Sequence, residues 1–455
     1  MTQKFDIVVI GGGPAGITLA KRLGETFSML VIRPEEHSMI YCAMPYVIEN
    51  LIDIHKCYKK DEVTTDSGAK LLKDTVSKID FNNKTVILSH SPSVQYNKLV
   101  IATGASPFIP QIEGAHLEGV LGFKTQKDLE HIHHYIDSGI TKAVVVGAGA
   151  IGIELAQALR HKKLDVSLVD MASHILPNLV DSDLAEKVKE ELTKNNISLH
   201  LNSRVEKLQG TDYVSEIHLD THEKISLENN TTGDTSTPRG IVVFATGVVP
   251  ELALIPEHTL KIGKQGIIVN ERMETTIEDV YAVGDCVQYK HFITQKIAPG
   301  KLATNAVPMA RILAHNLLGK KAEYKGFING AATKVYNIFV GGTGLTSEIA
   351  SCENFHIIKG HSQVTTQFPI MPHTKPLSVT LLADANTTKI IGGQVLSGEP
   401  VTSLIDLISF AIQKQATIYD IYDLSYSSQP YQSFFPAGNA LVMAAEKIIV
   451  QLEQE

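Results

Sequence analysis

Cysteine is scarce in this chain: there are four in 455 residues, at positions 42, 57, 286 and 352. Cysteines so widely scattered form neither a disulfide framework nor a Cys-x-x-Cys metal knuckle, and they fit a reducing compartment. No apolar run is long enough to span a bilayer. The apolar start FDIVVIGGGPAGITLA is broken by glycine, carries Asp6 and lacks a basic leader, so it does not read as a signal peptide. Charge of one sign is also lacking, with 41 basic against 49 acidic residues and a formal net charge of −8. That balance gives no general attraction to nucleic acid or to an anionic membrane surface. The expectation is a soluble, cytoplasmic protein of small-molecule chemistry, with no nucleic-acid partner and no membrane insertion. With 44% hydrophobic residues over 455 positions, the chain is large enough for two to three domains.

Glycine, by contrast, is present in a spaced pattern. FDIVVIGGGPAGITLAKRL joins a β-branched run to a helix-forming stretch through Gly11-x-Gly13-x-x-Gly16, with Pro14 and Ala15 inside the motif. Gly11 permits the tight turn, Gly13 lets the backbone approach a pyrophosphate, and Gly16 lets helix and strand pack closely. The helix N-terminus then presents free N–H groups and the positive dipole end to the anion. KAVVVGAGAIGIELAQALRHKKLDVSLVD repeats the pattern with Gly147, Gly149, Ile151 and Gly152, followed by a second strand that ends at Asp170. An acidic residue at that distance accepts from the ribose hydroxyls of NAD. With no Lys or Arg beside Asp170, NADH is expected over NADPH, which remains possible.

Three further apolar strands end in short turns: Ala102-Thr103-Gly104, Ala245-Thr246-Gly247 and Gly284-Asp285. With these turns interleaved between the glycine motifs, the sequence resembles the pyridine nucleotide-disulfide oxidoreductases, flavoproteins with two dinucleotide-binding domains. The resemblance runs along essentially the whole chain. It implies an α/β fold with two Rossmann-like domains, for FAD and NAD, plus a C-terminal α+β dimerisation domain. Residues 1–111 and 246–322 would form a discontinuous FAD-binding domain, 112–245 an NAD(H)-binding domain and 323–455 the dimerisation domain of a homodimer. The FAD contacts it implies come from the first glycine motif, Arg33, Glu35, Ser38, Ala102, Thr103, Gly104, Gly284, Asp285 and Thr304. Glu154 and Gly247 join the NAD set. In the tail, LSVTLLAD, IIGGQVL and KVYNIFVGGTGL read as strands, and VTSLIDLISFAIQKQ and ALVMAAEKIIVQLEQ as amphipathic helices.

The stretch HSMIYCAMPY holds Cys42 with no second cysteine at Val47. It resembles the single-cysteine branch of the family, which includes CoA-disulfide reductases, persulfide and sulfur reductases, and NADH oxidases and peroxidases. The segment after Cys42 is expected to start a helix with Pro45 in its first turn, and such a terminus stabilises a thiolate. Branch members that act on peroxide or oxygen place a histidine in the first glycine motif. Pro14 stands there, which favours a disulfide, CoA disulfide, persulfide or polysulfide as substrate. DLSYSSQPYQSFFPAG resembles a segment whose tyrosines approach the partner subunit's cysteine, so Tyr426 and Tyr431 join Cys42 as candidate catalytic residues. CoA phosphates need cations, and the first helix offers Lys21 and Arg22. Three departures stand out: Arg33 replaces an acid, Ala150 replaces a flavin-shielding aromatic, and an extra residue separates the two tyrosines. Two alternatives stay open, an NADH oxidase or peroxidase cycling Cys42 through a sulfenic acid, and a non-enzymatic NADH-sensing flavoprotein.

Overall fold

The computed structural model describes residues 3–228 and 239–454, which divide into two compact units. The first draws on the described residues up to Phe108, on Lys124–Leu129 and on Gly247–Phe327. The second draws on Ile109–Phe123, Glu130–Thr246 and the chain from Ile328 onward.

In the first unit the strand Gln3–Ile10 lies between Met29–Arg33 and Val94–Ile101, parallel to both, and Val280–Ala282 extends the parallel set beyond Val94–Ile101. Ile7, Val8 and Val9 are fully buried, as continuous β-branched runs are in parallel sheets covered on both faces. The helix Pro14–Leu23 takes proline in its first turn and buries Ala15, Leu19, Ala20 and Leu23, sharing one core with Met309, Ala310 and Leu313 of the helix Ala303–Leu317. Ile10 pairs with both Ile32 and Ile101, and Ile101 with Ala282. The first glycine turn, Arg33, the first Ala-Thr-Gly turn and the Gly-Asp turn therefore all leave the same, carboxyl edge of the sheet, where open α/β sheets bind ligands.

The second unit repeats the device. Its five-stranded parallel sheet runs Val120–Gly122, Gly240–Phe244, Lys142–Val146, Asp165–Val169, Ile197–His200. Val146 pairs with Val169 and Phe244, so Gly147, Asp170 and the second Ala-Thr-Gly turn share its carboxyl edge. The same unit holds a five-stranded antiparallel sheet from Ala331 to Ser397 and the helices Thr402–Gln413 and Ala440–Leu452, as the tail's periodicity predicts. KVYNIFVGGTGL differs from the expectation. It is not one strand but parts of two, because Tyr336 takes a left-handed backbone (φ 47°) and closes a hairpin in which Val335 pairs with Ile338.

Candidate functional site

Each glycine of the first motif has a separate physical task. Gly11 has φ +122°, and a Cβ there would lie 2.0 Å from the carbonyl oxygen of Ala102. The glycine turn and the first Ala-Thr-Gly turn are thus in backbone contact. A Cβ on Gly16 would lie 2.1 Å from the Gly11 carbonyl oxygen, whereas one on Gly13 meets nothing within 4 Å. Gly13 caps the helix with no side-chain hydrogen bond, and the first turn carries no acid. Open space in front of amides without side-chain partners is what a pyrophosphate requires. The second unit has the same cradle: Gly152 is closed by the Gly147 carbonyl at 1.8 Å, Gly149 opens onto nothing within 4 Å, and the helix Ala150–His161 lacks a side-chain cap. The residues present therefore fit two dinucleotides.

The Ala-Thr-Gly turn of the first unit is fastened to the chain that follows Gly247. Thr103 Oγ1 donates to the Glu251 carbonyl at 2.8 Å, Phe108 N donates to the Gly247 carbonyl at 3.0 Å, and Ala105–Pro107 pairs with Val248–Pro250. Gly284 lies against Ala15 and Ala306, a distance of 3.6 Å for its missing Cβ, which gathers the Gly-Asp turn, the first glycine motif and the helix that carries Thr304. The Asp285 carboxylate receives Lys124 Nζ at 3.0 Å and the Tyr289 hydroxyl at 3.4 Å. Lys301 Nζ donates to the backbone carbonyls of Asp285 (2.6 Å) and Gln265 (2.8 Å), and burial lowers its pKa against the opposing pull of Asp285. Sequence reasoning missed Lys124 and Lys301. No local pattern announces Lys124, 161 residues from its partner.

Arg33 is 1% exposed. Its Nε donates to the Glu35 carbonyl at 3.0 Å, Nη2 to the Glu36 carbonyl at 2.8 Å, and the guanidinium pairs with Asp61. Lys73 bridges Asp61 and Glu36. Arg33 thus shapes the turn after its strand, while the Glu35 side chain remains exposed.

Beyond that turn, the buried Ser38 pairs with Lys59 in a two-stranded ribbon, and Cys42 follows in a 3-10 turn, Tyr41–Ala43, that runs into the helix Met44–Ile48 with Pro45 in its first turn. Cys42 is exposed, as is Cys352, whereas Cys57 and Cys286 are fully buried and burial pushes both thiols up. In the second unit Glu154 accepts from Thr333 Oγ1 at 2.7 Å, and burial raises its carboxyl. Ile151 is exposed at the start of its helix. The Asp170 carboxylate is fixed by Ala148 N at 2.6 Å and Ala172 N at 2.8 Å. Tyr426 donates its hydroxyl to the Pro436 carbonyl at 2.6 Å, and Tyr431, 65% exposed, lies on the same loop. Among the described residues no cluster of His, Cys, Asp and Glu could hold a metal ion, and no helix is long and apolar enough to cross a membrane.

Comparison with known proteins agrees along the whole chain. The family model "pyridine nucleotide-disulphide oxidoreductase" matches residues 5–310, and its dimerisation domain matches 331–433. An NADH oxidase of Methanocaldococcus jannaschii is 34% identical over 461 residues, covering 98% of this chain and 99% of that one. A CoA-dependent NAD(P)H sulfur oxidoreductase of Pyrococcus abyssi is 28% identical, covering 97% and 98%. Among solved structures, an NAD-dependent persulfide reductase from A. fulgidus matches with a TM-score of 0.90 at 27% identity, over 98% of this chain and 83% of that one. With its two glycine cradles, its Gly-Asp turn and these matches, the chain belongs to the pyridine nucleotide-disulphide oxidoreductase family.

Proposed function

We propose that the chain is a homodimeric, FAD-dependent NAD(P)H oxidoreductase that reduces a small disulfide, CoA disulfide, persulfide or polysulfide through Cys42. The observation that carries this reading is the exposed thiol of Cys42, with no second cysteine beside it, on the segment leaving the carboxyl edge that also holds the first glycine turn. Residues 1–111 and 246–322 hold FAD, 112–245 hold NADH, and 323–455 form the dimer contact. The first glycine motif takes the FAD pyrophosphate, Asp285 and Thr304 the ribityl side, and Glu35 the ribose, with Arg33 acting through the turn it orders. The second motif, Asp170, Glu154 and Gly247 hold the nicotinamide dinucleotide.

Bound FAD supplies a two-electron relay from nicotinamide to sulfur. The Cys42 thiolate attacks one sulfur of the substrate, one thiolate leaves, and a mixed disulfide or persulfide remains on Cys42. Two electrons then break that bond, release the second product thiolate and return Cys42 to the thiolate. With Val47 where a resolving thiol would stand, the oxidised state is shared with an external sulfur. Tyr431 stabilises the departing thiolate by hydrogen bonding. Tyr426, already donating to Pro436, does so only after giving up that bond.

The 34% identical relative is named NADH oxidase, and this favours a second reading in which oxygen or peroxide oxidises Cys42. Pro14 opposes it, because a proline ring offers no proton at the position where a histidine serves such chemistry. Anaerobic stopped-flow separates the two. After reduction with one equivalent of NADH, polysulfide or CoA disulfide should reoxidise the enzyme faster than hydrogen peroxide does, and Cys42→Ser should lose that reoxidation. Faster reoxidation by peroxide reverses the assignment.

A further inference from the structure

Asp170 has no Lys or Arg beside it in sequence. In the fold, the turn after the strand Ile197–His200 lies alongside residues 170–172: Ser203 N donates to the Asp170 carbonyl and Asn202 N to the Ala172 carbonyl, both at 2.9 Å. A surface depression beside this point is lined by Met171, Asn202, Ser203, Arg204 and Asp220. A guanidinium 34 residues downstream of Asp170 is thereby brought to the edge where the adenosine ribose of a dinucleotide lies in such sheets. We propose that Arg204 receives an adenosine 2′-phosphate, so that the chain accepts NADPH as well as NADH; this rests on the second glycine turn being the dinucleotide site.

Arg204 is available for the task. Its side chain is 64% exposed, and its Nε is 3.6 Å from the Asp220 carboxylate. Such surface pairs are worth little, whereas a guanidinium–phosphate contact is charge-assisted and bidentate. The anchoring of Asp220 does not depend on the ion pair, since its carboxylate accepts from Arg204 N at 2.9 Å and its own N donates to the Arg204 carbonyl at 3.0 Å. The guanidinium can turn away while the backbone clasp stays. Asp170 and Asp220 both repel a phosphate, so Arg204 is the group that offsets them. Met171, 69% exposed, leaves the approach open.

The test uses two probes that differ only in the group at issue, 2′,5′-ADP and 5′-ADP, titrated calorimetrically into the FAD-loaded protein. Wild type should bind both. Arg204→Gln should weaken 2′,5′-ADP about tenfold relative to 5′-ADP, about 1.4 kcal/mol. Asp220→Asn, which frees Arg204 and removes a negative charge, should tighten 2′,5′-ADP. If 5′-ADP binds but the preference is indifferent to both variants, Arg204 is not the phosphate's partner and the proposal fails alone. If neither nucleotide binds wild type, the dinucleotide reading of this turn fails and the proposal goes with it.

Discussion

At the scale of single residues, the carboxyl of Glu154 gives a measurable consequence. Burial raises its pKa above the ordinary 4.5, with the Thr333 hydroxyl opposing. Between those two values the folded protein holds a proton that the unfolded chain has released, so stability falls as pH rises through that window. Glu154→Gln removes the dependence. Calorimetry at pH 5 and pH 8 should show the variant's melting temperature gaining on wild type at the higher pH; an equal gap at both would mean that the carboxyl titrates as in the unfolded chain. The family resemblance marks Glu154, but its partner is 179 residues away. Spacing rules reach one turn of helix or one strand pair, so they find Gly11, Gly147 and Asp170 and miss Thr333, Lys124, Lys301 and Arg204. These four come close through folding alone, each from a segment with no signal of its own.

At the scale of the element, the strand–turn–helix of the first motif separates folding from binding. A methyl at position 16 would need the Gly11 carbonyl to move, and the fully packed sheet behind it leaves little room. Gly16→Ala should therefore cost about 1–3 kcal/mol, read as a lower midpoint in urea. Gly13 has φ −76° and open space in front, so Gly13→Ala should stay within about 0.5 kcal/mol of wild type in the same assay. Its defect should appear instead when the apoprotein is titrated with FAD and flavin absorbance is followed, because the methyl then occupies the pyrophosphate's approach. Comparable unfolding losses for both variants would contradict this division. Periodicity and glycine spacing carried these elements well because strand, turn and helix here agree with local propensity. They failed at KVYNIFVGGTGL, where an apolar run hides the Tyr336–Asn337 hairpin turn: tyrosine at a left-handed position is a tertiary choice that propensity does not announce.

At the scale of the whole molecule, the thiol and the tyrosines belong to different units of the chain: Cys42 lies in the first, Tyr426 and Tyr431 in the second. The dimerisation model spans residues 331–433 and so includes both tyrosines. The resemblance nominates these residues and implies that each tyrosine serves the partner subunit's cysteine, but a symmetric dimer makes that arrangement and the one within a subunit identical in composition. Hybrid dimers distinguish them. Tyr431→Phe alone should slow turnover by roughly tenfold to a hundredfold, the cost of losing one hydrogen bond to a charged group, and Cys42→Ser alone should abolish it. In a dimer that pairs one Cys42→Ser subunit with one Tyr431→Phe subunit, catalysis across the interface leaves one site with both native groups and the other with neither. Such a hybrid, purified through two different affinity tags, should retain about half of wild-type turnover. If instead each subunit uses its own tyrosine, neither site is intact, and the hybrid falls to half the rate of the Tyr431→Phe dimer. The two outcomes differ by the full tenfold or more that the tyrosine contributes.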